Sequence, residues 1–162
     1  MIPIILPDGT ELDFRPDSHN KLQAAIIKDF LPFFGYGAEV LYIGDAADKS
    51  KLKKEDRLRE LGVFDLSHDQ LPDIVAYSAS KNWLYLIEAV TTANPVTEAR
   101  RLLLERRLEA CTIPRIYVTV FFDRATFRKF AAAIAWETEV WLADVPHHLV
   151  HFNGGKFLGP HD

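Results

Sequence analysis

Asp73 in Pro72-Asp73 opens one apolar run of this chain, and Glu88 closes the next. The two acids are fifteen residues apart, a spacing that suits two adjacent antiparallel strands joined by a turn at Ser78-Ala79-Ser80-Lys81-Asn82. Carboxylates so placed can hold Mg²⁺ against a phosphodiester, where the ion neutralises charge on the phosphate and acidifies an attacking water. Asp73 alone reads as a solvated strand end, but Glu88 lies between Leu84–Ile87 and Ala89-Val90. An acid in so apolar a strand needs a partner or a metal. A metal-dependent nuclease of this layout usually has Lys two residues after the second acid, on the same strand face. Val90 stands there, so either the cation comes from elsewhere or the activity is compromised.

Lys81 precedes the second strand, yet seven residues of strand place it roughly 23 Å from Glu88 and on the opposite face. Lys49, in Gly44-Asp45-Ala46-Ala47-Asp48-Lys49, follows an earlier strand at the same sheet edge as Asp73 and is one candidate for the missing cation. Arg100 and Arg101, in the first turn of the helix after Glu88, are candidates for a phosphate clamp, with Arg101 the other choice for the catalytic charge. Asp45 suits a third metal ligand, a partner for Lys49, or a turn after Gly44. Asn20 and Gln23 lie on the first helix, where such nucleases often keep a residue that holds a metal-bound water; Gln23 is the better placed. His19 reads as part of the helix start.

The elements that must position these groups follow from periodicity and punctuation. Ile4 to Phe14 reads as a hairpin turned at Pro7-Asp8-Gly9. Asp17 or Ser18 caps a helix with Leu22, Ala25, Ile26 and Phe30 on one side, stopped at about Leu31 by Pro32. Val40 to Ile43 is a short strand, and the charged stretch after it is helix or loop. Leu71–Tyr77 and Trp83–Val90 are central strands, the second apolar as a strand buried on both faces is. Pro95 and Thr97 start a helix running to about Cys111, Ile116–Phe121 is a further buried strand, and Asp123 caps a helix with Phe127, Phe130 and Ile134 inward. Glu139–Ala143 and His148–Phe152 are short closing strands. This order, helix, three antiparallel strands, helix, strand, predicts an α/β (mixed α+β) fold with a mixed central sheet flanked by helices. Asp45, Asp73 and Glu88 then fall at one sheet edge.

At 162 residues, 48% hydrophobic and 26% charged, the chain reads as one globular domain over 1–162 with a sizeable core. It has no apolar run of the roughly 20 residues a membrane span needs and no secretory signal pattern, and is expected to be cytoplasmic. A lone cysteine, Cys111, on a leucine-rich helix reads as a buried hydrophobe. The net charge of −4 argues against a general nucleic-acid binder. The distribution argues the other way: Lys49–Arg59 and Thr97–Phe130 are each about four charges positive. In the latter, Arg124, Arg128 and Lys129 can reach a DNA backbone while Phe127 and Phe130 face the core. Trp136 and Trp141 read as core or dimer contacts. His147, His148 and His151 split between strand faces and have no cysteine pair, which disfavours zinc. No Gly-x-Ser-x-Gly elbow or Walker-type loop occurs.

Several stretches carry a more specific signal: Leu6-Pro-Asp-Gly, His19-Asn-Lys-Leu-Gln, Leu41-Tyr-Ile-Gly-Asp-Ala-Ala-Asp-Lys, Leu71-Pro-Asp, Trp83-Leu-Tyr-Leu-Ile-Glu-Ala-Val, Phe122-Asp-Arg-Ala-Thr-Phe-Arg-Lys, Ala135-Trp-Glu-Thr-Glu-Val-Trp and His151-Phe-Asn-Gly. Together they resemble the C-terminal catalytic domain of BsuBI/PstI-type restriction endonucleases across nearly the whole chain. The resemblance implies a PD-(D/E)XK-type core and Mg²⁺-dependent cleavage of double-stranded DNA at a short palindrome, with Mn²⁺ tolerated. It also implies a homodimer serving a restriction-modification system. Enzymes of this family are about twice as long, with an additional N-terminal DNA-binding region, so the chain corresponds to one domain of such an enzyme or to a shorter relative. Two other readings stay open: a non-catalytic DNA-binding or dimerisation module of the same fold, and a structure-selective repair or defence nuclease.

Overall fold

A computed structural model describes residues 1–45, 49–64, 66–67 and 69–152, with Lys49 described by its backbone only. A hairpin of β1 (Ile2–Ile5) and β2 (Glu11–Phe14) leads into α1 (Ser18–Ala25), capped by the Asp17 carboxylate, which accepts from the Asn20 N–H. Pro32 does not stop this helix. It widens to a π turn over Ile26–Phe30 and continues as α2 (Leu31–Phe34) to Gly35. Pro32 falls in the first turn of α2, directly after the π turn in which the helical bonding pattern is already widened.

β3 (Glu39–Asp45), β4 (Lys49–Lys53), β5 (Ile74–Ser78), β6 (Trp83–Ala89), β7 (Arg115–Phe121), β8 (Thr138–Leu142) and β9 (Val150–Phe152) form one sheet in the order β4-β3-β5-β6-β7-β8-β9. The β3–β5 and β5–β6 pairs are antiparallel, whereas β6, β7 and β8 run parallel, as the crossover through α4 (Glu98–Arg107) requires. The predicted succession of helix, three antiparallel strands, helix and strand is therefore present. α3 (Glu55–Glu60) follows β4, and α5 (Arg124–Phe130) sits between β7 and β8. Among the described residues no helix is long and apolar enough to cross a membrane.

Alternation along the strands sorts the core into two faces. Ile74, Ala76, Tyr85, Ile87, Val118 and Val120 pack with Leu22, Ile26 and Phe30 of the first helix. Val75, Leu84, Leu86 and Tyr117 pack with Leu104, Leu108 and Cys111 on the α4 side, so Cys111 is indeed a buried hydrophobe. Trp141 is wholly buried, while Trp136 stands 64% exposed beside Phe152.

The charged stretch after β3 departs from the sequence expectation, because it holds strand β4 as well as α3. Two consecutive β3 residues, Ile43 and Gly44, pair with Leu52 and Ser50, so Lys51 is the extra residue of a β-bulge. A bulge turns the following side chains to the other face of the strand. Lys51 accordingly lies on the same side of the sheet as Leu52, over the Phe14 ring at 4.9 Å, while Lys53 bonds to the Leu66 carbonyl on the other side.

Candidate active site

Asp73 and Glu88 meet where the β5/β6 ladder runs out. One step beyond the Ile74 and Ile87 pair, side chains replace backbone groups: the Asp73 N–H donates to Glu88 Oε1 at 2.9 Å, and the Ala89 N–H donates to Asp73 Oδ2 at 2.8 Å. Each acid thus spends one oxygen on the other's strand. The remaining oxygens turn to cationic groups. His19 Nε2 lies 3.3 Å from Asp73 Oδ1, and Arg100 Nε lies 3.5 Å from Glu88 Oε2. Arg100 also donates to the Leu71 carbonyl at 3.2 Å.

These four side chains line a cleft of about 610 Å³, walled by the loop after β6 through Thr91, Thr92, Asn94 and Thr97. Asn94 adopts φ 70°, a left-handed conformation that Asn tolerates better than most residues. The cleft is polar and open on one side. Its electrostatics are those of a site short of positive charge. Burial, and next the neighbouring Asp73 charge, raise the Glu88 pKa from 4.5 to about 8, against the opposing pull of Arg100. The Asp73 carboxylate raises the pKa of His19, with burial opposing. A divalent cation between the two free carboxylate oxygens relieves the same strain that protonation of Glu88 does, and carboxylate oxygens are the donors Mg²⁺ prefers. Among the described residues no group of three or more His, Cys, Asp or Glu side chains is placed to hold a metal ion, so the two carboxylates are the protein donors on hand.

The other predicted residues are distributed unevenly. Gln23 is wholly buried and belongs to a second polar cluster beneath α1, where its Nε2 donates to the Gly44 carbonyl at 2.9 Å. Lys51 is the centre of that cluster: its ammonium donates to Asn20 Oδ1 at 2.8 Å, Gln23 Oε1 at 2.9 Å and the Gly44 carbonyl at 3.2 Å, with Asp45 Oδ2 at 3.6 Å. Asp45 faces Lys51 and does not line the cleft. The Lys49 backbone pairs with Asp45 at the start of β4, and its side chain lies outside the described residues. Arg101 pairs with Glu98 along its own helix at 2.6 Å, so of the two arginines Arg100 is the one at the acids. Arg124, Arg128 and Lys129 are exposed on α5. Val90 is fully buried in an apolar cluster with Phe121 and Ile134, a place where a lysine ammonium could not be solvated.

His19 and Lys51 are the groups sequence reasoning passed over. Lys51 lies in a stretch that reads as helix or loop, so strand β4 and its bulge were not expected there. For Arg100 a signal existed: Arg100, Leu104 and Leu108 follow at helical i, i+4, i+8, and both leucines are buried, so Arg100 shares the face turned to the sheet.

Comparison with known proteins agrees with this fold. A family model described as BsuBI/PstI restriction endonuclease domain matches residues 2–155. The chain is 42% identical over 161 residues to the Type II restriction enzyme BsuBI of Bacillus subtilis, covering 99% of this chain and 51% of that protein. It is 29% identical over 155 residues to the Type II restriction enzyme AplI of Arthrospira platensis, covering 91% of this chain and 47% of the relative. The solved structure of SdaI restriction endonuclease matches with a TM-score of 0.91 at 36% identity, over 100% of this chain and 51% of that one. The chain spans about half the length of these relatives. By the extent of the family match, the chain belongs to the BsuBI/PstI restriction endonuclease domain family.

Proposed function

We propose that this chain is a nuclease domain that hydrolyses phosphodiester bonds of double-stranded DNA with Mg²⁺, as part of a restriction system, with Asp73 and Glu88 holding the ion. The observation that carries this reading is the reciprocal latch of the two acids, which fixes one oxygen of each and leaves Asp73 Oδ1 and Glu88 Oε2 beside a single cleft. When bound, the cation supplies charge neutralisation at the scissile phosphate and a more acidic water. The chain's own residues do the rest. Arg100, freed from Glu88, places its planar guanidinium against a phosphate oxygen, and Thr91, Thr92 and Asn94 offer hydrogen bonds along the cleft wall. The exposed Arg124, Arg128 and Lys129 supply backbone contacts farther along the DNA.

Two copies related by a two-fold axis would present two such clefts to a short palindrome. That assembly, like the intracellular setting in which such an enzyme meets DNA, is part of the proposal. The absence of a lysine two residues after Glu88, where Val90 stands, favours one other reading, a DNA-binding module of the same fold without efficient chemistry. Plasmid DNA at low salt separates the two. The wild-type chain with Mg²⁺ or Mn²⁺ is expected to nick or linearise it, and Asp73→Asn to lose at least about 10³-fold in rate. Binding with a steep salt dependence but no cleavage by the wild type would establish the module instead.

A further inference from the structure

The protein caps each free oxygen of its acid pair with a basic side chain of its own. His19 Nε2 forms an ion pair with Asp73 Oδ1 at 3.3 Å, and Arg100 Nε forms one with Glu88 Oε2 at 3.5 Å. The two arrive from opposite sides. His19 comes over the end of the sheet from α1, which packs on the face of Ile74 and Ile87, and Arg100 comes from α4, on the face of Val75 and Leu86. Among the described residues lining the cleft these are the only Lys, Arg or His side chains. His19 is 35% and Arg100 22% exposed, so both face the cleft with room to turn. The backbone beneath His19 is fixed. Asn20 bonds to Asp17 through its N–H and Nδ2 and to the Arg15 carbonyl through Nδ2, and it accepts from Lys51 at Oδ1.

Resting on the two-acid reading, we infer that His19 is a second phosphate-binding residue of the cleft: it is held on Asp73 while the site is metal-free and donates to the DNA phosphate, opposite Arg100, once Asp73 Oδ1 serves an ion. The acid pair has two oxygens left for an ion, and both are in use by His19 and Arg100. When those oxygens turn to an ion, both donors lose their acceptors, and a part-buried donor without an acceptor is costly. A phosphodiester entering the cleft restores one to each. The imidazole needs no charge for this, because the neutral ring with its proton on Nε2 donates as well. The remaining basic groups nearby are committed. The three Lys51 ammonium hydrogens serve Asn20, Gln23 and Gly44, and Arg101 pairs with Glu98. His19 thus weakens the hold on an ion and strengthens the hold on DNA, two effects of opposite sign from one side chain.

Two binding measurements on the 162-residue chain test the assignment without reference to cleavage. Calorimetry follows Ca²⁺, a cation that carboxylate oxygens hold, and fluorescence anisotropy follows a labelled DNA duplex in saturating Ca²⁺. His19→Ala is expected to bind Ca²⁺ about two- to fivefold more tightly, because a partly exposed ion pair no longer opposes it. The same variant should bind the duplex about tenfold or more weakly, the loss of one hydrogen bond to a charged phosphate. His19→Gln keeps an N–H donor without the charge and should recover most of the duplex binding while retaining the tighter Ca²⁺ binding. Melting of the metal-free variants confirms that each is folded. Unchanged duplex affinity in folded His19→Ala, or Ca²⁺ binding that weakens along with it, would overturn the inference and leave the two-acid reading standing. A wild type that takes up no Ca²⁺, or that binds the duplex no better with Ca²⁺ than without, would overturn both.

Discussion

Glu88→Gln is expected to abolish metal binding and cleavage, and at the same time to make the metal-free protein more stable at pH 8. The two effects share one cause. Glu88 is 5% exposed and holds its proton far above the ordinary carboxylate range, chiefly because burial penalises its charge and secondly because Asp73 is adjacent. Its pKa is about 8 in the folded chain against 4.5 when unmodified by structure, so between these values the folded state binds more protons than the unfolded. Stability of the metal-free chain therefore falls as pH rises from 4.5 through 8. Glutamine fills the same space uncharged, and its oxygen can still accept from the Asp73 N–H. The expected gain at pH 8 is on the order of 4 kcal/mol, or roughly 10 °C in melting temperature, vanishing below pH 4.5. Thermal melts of both proteins from pH 4 to 9 in a chelating buffer measure it. Parallel curves across that range would mean that Glu88 is not held as a strained acid and would remove the main reason to expect a cation there.

Lys51→Ala is expected to be among the most damaging single changes, although Lys51 is not at the acids. The side chain is 9% exposed, and its removal takes away the ammonium that faces Asp45 at 3.6 Å and donates to Asn20 Oδ1 and Gln23 Oε1. Burial lowers the Lys51 pKa and Asp45 opposes that shift. Breaking such a buried pair by removing one member costs on the order of 3–5 kcal/mol. Lys51→Met keeps the stem over Phe14 but not the charge, and is expected to recover only part of the loss. Urea unfolding gives the values directly. A loss under about 1 kcal/mol for Lys51→Ala would place the lysine among ordinary surface cations.

The acid pair was legible because it needs only local rules. A turn between two apolar runs sets the antiparallel register, and period-2 alternation puts opposed residues on one face, so Asp73 and Glu88 converge whatever the rest of the chain does. Thr97 and Asp123 as helix caps, and the parallel β7 after a crossover helix, were legible for the same reason. Lys51 was hidden because its stretch read as helix or loop, where the chain in fact forms β4 with a bulge that has no signature in a run of lysines. His19 was hidden differently. Its approach to Asp73 depends on how α1 lies across the end of the sheet, and that is decided by Leu22, Ile26 and Phe30 packing on strands many residues away. Val90 is a lesson in the reverse direction. An absent lysine looked like lost chemistry, but the position belongs to the apolar cluster around Phe121, where an apolar residue is what packing demands.

The central claim is that Asp73 and Glu88 share one divalent ion in the cleft beside Arg100. A crystal of this chain grown with Mn²⁺ and measured for anomalous scattering tests it most directly. The account predicts a single strong peak within about 2.3 Å of Asp73 Oδ1 and Glu88 Oε2, with the Arg100 guanidinium drawn off Glu88. A cleft empty at saturating Mn²⁺ with the Arg100 to Glu88 contact still in place, or a peak elsewhere on the molecule, would contradict it.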